Sequence, residues 1–349
     1  MERFRVAVAG ATGLVGQTIL RVLEERDLPI GELLPLASER SAGRTITFRS
    51  EPVTVRLLTE DAFAGCDLAF FSAGAGVSRR FAPAAAQRGA LVIDNSSAFR
   101  QDSEIPLVVP EVNGHLLAGY HGIVANPNCS TIQMVVALQP LHRAFGLETV
   151  IVSTYQSVSG SGGKGVRALD HEIATGQRRP DSPYPHAIAF NALPHIDVLG
   201  EDGWSGEERK MMLETRKIMD LPSLHIVPTT VRVPVRTGHS ESVYAQFTRE
   251  VRLQEAREIL ASAPGVVLED EPAADLYPLA LRAEGRDEVF VGRLRQDPMD
   301  QRAFAFWVVA DNLRKGAATN AVQIAQCALQ FGALGVQVSG KETSVGSPR

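Results

Sequence analysis

The spacing of apolar positions changes along the chain, and the elements it predicts change with it. Residues 4–9 (FRVAVA) form a short apolar run that ends at a glycine, which predicts a buried strand. From Leu14 to about Glu25, the positions Val15, Ile19, Val22 and Leu23 recur at helical spacing. Runs at 33–37, 67–71 and 91–94 predict further buried strands, with a helical stretch around 79–88 between the last two. Strands alternating with helices predict a parallel sheet covered on both faces. From about Glu148 longer β-patterned runs take over: ETVIVSTYQSV, LHIVPTTVRVPV, SVYAQFTREV and RAFAFWVVADNL. They predict a mixed or antiparallel sheet, with helices at about 164–176, 205–220 and 253–262. A last helix is expected over 316–331, with Gly332 beyond its end. The final eleven residues, SGKETSVGSPR, have almost no apolar content and read as a disordered tail.

A chain of 349 residues with 44% hydrophobic content can bury a large core and is too long for one typical domain. The net charge of -5 favours neither nucleic acid nor an anionic membrane as partner. No apolar run approaches the roughly 20 residues of a membrane span. The N-terminal MERFRVAVAG reads as the first strand, with no signal peptide expected. Cys66, Cys129 and Cys327 lie far apart with no CxxC, which points to a reducing, cytoplasmic setting with neither a disulfide framework nor a metal site.

The first strand runs into Gly10-Ala-Thr12-Gly13-Leu14-Val15-Gly16, and a helix follows. Glycines let a pyrophosphate approach bare backbone, and the helix N-terminus offers it free N–H groups. The GxxGxxG spacing is less specific than GxGxxG, and its bland reading is a plain strand–helix turn; its place at the start of an α/β unit favours a dinucleotide. An NAD site ends its second strand with a carboxylate. Here that strand runs into Ser38-Glu39-Arg40-Ser41, where hydroxyls and a guanidinium suit a 2′-phosphate. Glu39 suits NAD, and Arg40 has a bland reading as a solvated loop charge. The combination favours NADP.

Asn126-Pro-Asn128-Cys129-Ser-Thr precedes an apolar helical stretch, Ile132 to Phe145. Asn128 or Cys129 therefore falls at or near the N-cap. A thiolate there is stabilised by the helix dipole, so the expectation is a lowered pKa and alkylation far faster than at Cys66 or Cys327. A thiol beside a nicotinamide implies thioester chemistry, with phosphate as one acceptor. Such a reaction needs a proton carrier and cationic anchors. His239 lies between two β-patterned runs, Gln156 precedes a second glycine-rich turn, and Arg100 follows a parallel strand. Glu214 and Lys217 stand three apart on one helix face, which also suits a surface ion pair. Arg236 is either a second substrate arginine or a strand-end charge.

Taken together, GATGLVG, SAG at 72–74, DNSSAFR, VPEVN, NPNCST, YQSVSGSGG, ETRKIM, VRVPVRTGHSES and DNLRKGAA resemble the aspartate-semialdehyde dehydrogenase family, from about residue 4 to residue 331. The resemblance implies Cys129 as acyl-thioester nucleophile, His239 as general acid/base, Gln156 orienting the acyl group and Asn128 on the phosphate and oxyanion side. It implies that Arg232 clamps the substrate carboxylate, Glu214 takes its ammonium group, and Arg100 and Lys217 hold phosphate. Thr12 to Val15, Arg40, Ser41, Ser159, Gly160 and Asn312 would contact NADP. The implied reaction is NADPH-dependent reduction of L-4-aspartyl phosphate to L-aspartate 4-semialdehyde, feeding lysine, threonine, methionine and diaminopimelate synthesis. The alternatives are an N-acetyl-glutamyl-phosphate reductase and a non-catalytic dinucleotide-binding paralogue. The implied architecture is α/β: a Rossmann-type NADP-binding domain at 1–128, completed by a C-terminal helix at 316–338, and an α+β catalytic and dimerisation domain with a mixed sheet at 129–315. A homodimer, or a tetramer of dimers, is implied as well.

Overall fold

The computed structural model describes residues 3–334. Its first half follows the alternation of the sequence: β1 (Phe4–Ala9), α1 (Leu14–Glu25), β2 (Ile30–Ala37), the hairpin β3 (Thr45–Phe48) and β4 (Glu51–Thr54), β5 (Arg56–Leu57), β6 (Leu68–Phe71), α2 (Ala75–Gln87), β7 (Leu91–Asp94), α3 (Pro110–Asn113) and β8 (Ile123–Ala125). The sheet order is β5-β2-β1-β6-β7-β8, with every pairing parallel. Val6, Ala7, Val8 and Ala9 are all fully buried, as expected for a strand covered on both faces.

The second half continues α4 (Cys129–Phe145), β9 (Leu147–Gln156), α5 (Gly162–Thr175), α6 (Gly206–Met219), β10 (His225–Arg232), β11 (His239–Phe247), α7 (Leu253–Ser262), β12 (Val266–Leu268), α8 (Ala280–Ala283), β13 (Val289–Gln296), β14 (Ala303–Ala310) and α9 (Thr319–Gln330). Its six-stranded sheet runs β10-β9-β11-β14-β13-β12 and is mixed: β9 pairs β10 in parallel, while β11 pairs both β9 and β14 antiparallel. On β9 burial alternates, with Val150, Val152, Thr154 and Gln156 inward and Ile151 and Tyr155 exposed. The inward face packs on α4, which is buried over most of its circumference, from Ile132 through Leu138 to Phe145. That helix begins three residues earlier than its apolar pattern, because Cys129, Ser130 and Thr131 carry too little hydrophobicity to mark a turn.

A π-helical turn at Arg314–Ala318 leads into α9, which buries Ala321, Val322, Ile324 and Ala325 against the first sheet. The chain thus returns to its own beginning. Several elements escape the periodicity, among them β5, β8, β12, α3 and α8, each too short to show a period. The β3–β4 hairpin is largely exposed, and β13 (VFVGRLRQ) bulges between Gly292 and Arg295, which breaks its period. The expected disordered tail at 339–349 and the last residues of the expected helix at 316–338 lie outside the described residues.

Candidate active site

Two helix N-termini meet the chain's two chemical signals. At α1, Gly10 sits at φ +87, and a Cβ there would come within 2.9 Å of the Ser72 backbone. A Cβ on Gly16 would fall 2.1 Å from the Gly10 carbonyl oxygen, so glycine is required for the helix to approach the strand end. Gly13 is the N-cap and no side chain caps the first turn. Gly13 is exposed, and Thr12, Leu14 and Val15 are half-buried. This bare, open helix start fits a pyrophosphate. At the end of β2, Ser38 and Arg40 are exposed and Ser41 is buried, its N–H donating to the Ser38 carbonyl at 2.9 Å.

At α4, Asn128 is the N-cap and Cys129 the first helical residue. Asn128 does not cap with its side chain; its Nδ2 donates to Glu207 Oε1 at 2.9 Å. Gly316 packs directly on the nucleophile candidate, since a Cβ there would lie 2.8 Å from Cys129 Cβ. The π turn carrying Gly316 is held by Lys315, fully buried, whose Nζ donates to both Glu111 oxygens at 2.8 and 2.7 Å. Nothing in the sequence pattern singled out this buried pair, because a lone lysine before a helix reads as solvated.

Cys129 opens on a pocket of about 340 Å³ lined also by Arg100, Asn128, Gln156, Gly160, Glu207, Lys210 and Arg232. Gln156 ends β9, and its Nε2 donates to Glu207 Oε1 at 3.0 Å. Arg232 ends the parallel neighbour β10 in register with Gln156, and its Nη1 donates to the Ser157 carbonyl at 2.6 Å. Glu207 takes Lys210 on its other oxygen at 3.2 Å. Burial works against the Glu207 charge, but Lys210, Asn128 and Gln156 hold its carboxyl below the ordinary value. His239 opens β11 with its ring fully buried; burial first, and then Arg232, push it well below the ordinary histidine value. A Cβ on Gly160 would sit 3.4 Å from His239 Nε2 and 2.8 Å from Arg232 Nη1, so the bare glycine leaves room for both, with Arg232 lining the pocket and His239 buried behind Gly160.

Two expectations are corrected. Burial, followed by the Glu207 carboxylate, pushes the Cys129 thiol up to about 12, against the pull of Arg232, Arg100 and the Ser130 N–H. The helix start therefore lowers the thiol pKa less than its surroundings raise it. Cys66, far from the site, is pushed up to about 11 by burial. Second, Glu214 and Lys217 do not line the pocket. Glu214 is wholly buried behind it, accepting from Arg100 Nη1 at 3.1 Å and the Asn128 N–H at 2.6 Å. Lys217 Nζ donates to the carbonyls of Arg100, Asp102 and Ile105 at 3.0, 2.5 and 2.9 Å. Their pocket counterparts are Glu207 and Lys210, two turns earlier on α6 with the same i,i+3 spacing. Of the two readings left open for Arg236, the structure favours the strand-end charge: it is exposed, pairs with Asp170 at 2.8 Å and does not line the pocket.

Ser159 and Asn312 lie behind His239 in one buried hydrogen-bond cluster, Asn312 Nδ2 donating to Ser159 Oγ at 2.9 Å. Among the described residues no group of three or more His, Cys, Asp or Glu side chains is arranged to hold a metal, and no helix is long and apolar enough to cross a membrane.

Comparison with known proteins agrees over both halves. The model of a semialdehyde dehydrogenase NAD binding domain matches residues 5–120, and that of a semialdehyde dehydrogenase dimerisation domain matches residues 138–315. An aspartate-semialdehyde dehydrogenase of Aquifex aeolicus is 52% identical over 336 residues, covering 94% of this chain and 99% of its own length. One from Bacillus subtilis is 48% identical over 332 residues, covering 92% and 96%. A crystal structure of aspartate semialdehyde dehydrogenase II from Vibrio cholerae, complexed with ASA, superposes with a TM-score of 0.91 at 45% identity, covering 95% of this chain and 99% of that one.

Proposed function

This chain belongs to the aspartate-semialdehyde dehydrogenase family, and from that premise we propose how its residues divide the work. It is an oxidoreductase of amino-acid biosynthesis that uses a nicotinamide dinucleotide to interconvert L-4-aspartyl phosphate and L-aspartate 4-semialdehyde plus phosphate. The observation that carries the assignment of roles is one pocket in which a cysteine faces three cations, Arg100, Lys210 and Arg232, and two carboxylates, Glu207 and Asp197, the latter paired with Lys210 at 2.7 Å. A substrate with a phosphoryl group, a carboxylate and an ammonium group needs that set. The N-acetylated alternative is not favoured, because an acetylated amine gives Glu207 no cation to pair.

Cys129 attacks the acyl carbon. The carbon–sulfur bond forms as the bond from carbon to the phosphate oxygen breaks, and the thiol proton leaves with the phosphate. A neutral thiol is therefore a competent starting state. Gln156 and Asn128 hold the acyl oxygen and the phosphoryl side, Arg232 the α-carboxylate and Glu207 the ammonium group. Arg100 and Lys210 hold the phosphoryl group, with Glu214 behind Arg100 as its buried counter-ion. His239 supplies the proton as the reduced product leaves the sulfur. The dinucleotide, when bound, supplies the hydride.

The cofactor is NADP, seated on Gly10, Thr12, Gly13, Leu14 and Val15, with Ser38, Arg40 and Ser41 at the 2′-phosphate and the 159–160 turn near the nicotinamide. The chain divides into 1–128 and 129–315, with the C-terminal helix returning to the first part. It works in the cytoplasm as a homodimer, joined through the outer face of the second sheet, where Ile151 and Tyr155 stand exposed and Tyr155 packs against Trp307 at 5.3 Å. The test is NADP reduction with L-aspartate 4-semialdehyde and phosphate. Cys129→Ala should abolish turnover while dinucleotide binding persists, and Arg40→Ala should weaken NADP more than NAD. Substantial turnover by Cys129→Ala would end the thioester mechanism.

A further inference from the structure

His239 is held from behind by the stretch after β9, which is itself tied to the stretch after β14. The backbone N–H of Ser157, just past β9, donates to His239 Nδ1 at 3.1 Å. The Ser157 hydroxyl stands 3.1 Å from the same nitrogen. That hydroxyl has a second partner, Asn312 Oδ1, at 3.0 Å, just past β14. Asn312 Oδ1 also accepts the N–H of Gly238, the residue before the histidine, at 2.9 Å. All these groups are buried, and the hydrogen bonds join the ends of β9 and β14 to the start of β11.

The two Ser157 donors differ in kind. A backbone N–H can only donate, so the nitrogen it faces carries a lone pair in the neutral ring, and the ring proton sits on Nε2. Nε2 has no protein partner among the described residues and, with Cε1, lies on the edge of the ring beside Gly160, which lines the pocket. A hydroxyl, by contrast, rotates. It donates to Nδ1 while the ring is neutral, and turns to Asn312 Oδ1 when Nδ1 is protonated, leaving its own lone pair for that proton.

We propose that Ser157 and Asn312 are positioning residues for His239: they fix the resting neutral ring with its proton on Nε2, and the Ser157 hydroxyl accepts the Nδ1 proton while the ring is charged and after the charged ring has given its Nε2 proton away. The inference rests on His239 as the proton donor of the reaction. Burial and Arg232 oppose the charged ring, so an acceptor that appears only on protonation is what keeps the charged ring within reach. Once the charged ring has given its Nε2 proton to the sulfur it is left protonated on Nδ1, with the Ser157 hydroxyl as acceptor, and it recovers the Nε2 proton from the medium.

The test uses the full-length protein labelled with 15N-histidine, with His239 identified among the eight histidines through His239→Gln. The nitrogen shifts should report a neutral ring protonated on Nε2, and this reading needs no Ser157 variant to fold. Ser157→Ala should lower the His239 pKa by about one unit, Ser157→Thr should restore it, and Asn312→Asp should raise it. In turnover, the same limb of the pH profile should move, with kcat down about tenfold in Ser157→Ala and KM unchanged. The charged groups around the ring are unaltered in Ser157→Ala: Arg232 from β10, Glu207 and Lys210 from α6, Cys129 from α4, Glu241 from β11, and Arg100. A neutral ring protonated on Nδ1, or a Ser157→Ala ring and pH profile that match the parent, overturns the proposal. Should His239→Gln keep full turnover, the failure lies instead with the acid role of His239.

Discussion

Helix α6 carries the same charge pattern twice, Glu207 with Lys210 and Glu214 with Lys217, and the two copies meet opposite fates. Seven residues put them on nearly the same helix face, about 10.5 Å apart along the axis. The first pair lines the pocket beside Cys129; the second is consumed by the scaffold, Glu214 on Arg100 and the Asn128 N–H, Lys217 on three carbonyls after β7. The electrostatics divide likewise. Burial opposes both carboxylates, but Lys210 and two side-chain amides keep Glu207 below its ordinary value, while burial outweighs Arg100 and keeps Glu214 above. Spacing on a helix therefore says which residues share a face, and not which turn of that face meets the site.

The largest expected effect separates the lysines. Lys210→Ala should lower kcat/KM by about a hundredfold or more, the cost of a lost charge-assisted contact, with little change in thermal stability. Lys217→Ala should do the reverse, lowering the unfolding midpoint through three unsatisfied carbonyls while kcat/KM falls far less. Equal losses of kcat/KM in steady-state assays would erase the distinction. A smaller effect separates the carboxylates at the thiol. Glu207 is one of the groups that raise Cys129, so Glu207→Gln should speed its alkylation at neutral pH by about tenfold. Glu214→Gln should leave that rate near the parent's. Peptide-resolved labelling reads both, and rapid labelling of the parent Cys129 at pH 7 would contradict its raised pKa.

The smallest effect is a difference in sign. A carboxyl lowered by folding contributes stability above its ordinary value of 4.5 that is lost as pH falls through its folded value. The deficit of Glu207→Gln should therefore shrink as the medium is acidified below 4.5. A carboxyl raised by folding favours the folded state most when protonated, and that contribution is lost as pH rises from 4.5 through its folded value. The deficit of Glu214→Gln should accordingly shrink as pH rises. Each unit of pKa difference is worth about 1.4 kcal/mol, within reach of denaturant titrations at several pH values. Deficits that move the same way with pH would break the comparison.

Much of the fold was legible along the chain because burial writes a period. The continuous apolar runs of β1, β6 and β7, the alternation of β9 and the 3.6-residue spacing of α1 each follow from which faces are covered. The elements that escaped have little to bury, as in the β3–β4 hairpin, break their own period at a bulge, as in β13, or are too short to show one, as in the three buried residues of β8. The glycines of the α1 turn and the Asn128-Cys129 helix start were legible for a related reason: their chemistry depends on local backbone.

The identity and order of the motifs, the two helix starts and the candidate nucleophile were thus determined by sequence alone. Only the tertiary structure decided which of two identical Glu–Lys pairs faces Cys129, that Asn312 and Ser157 stand behind His239, and that the thiol is raised instead of lowered. Those outcomes depend on distances between residues 75 or more apart in the chain and on how much water each group keeps. Electrostatic energies vary steeply with both, and linear order encodes neither.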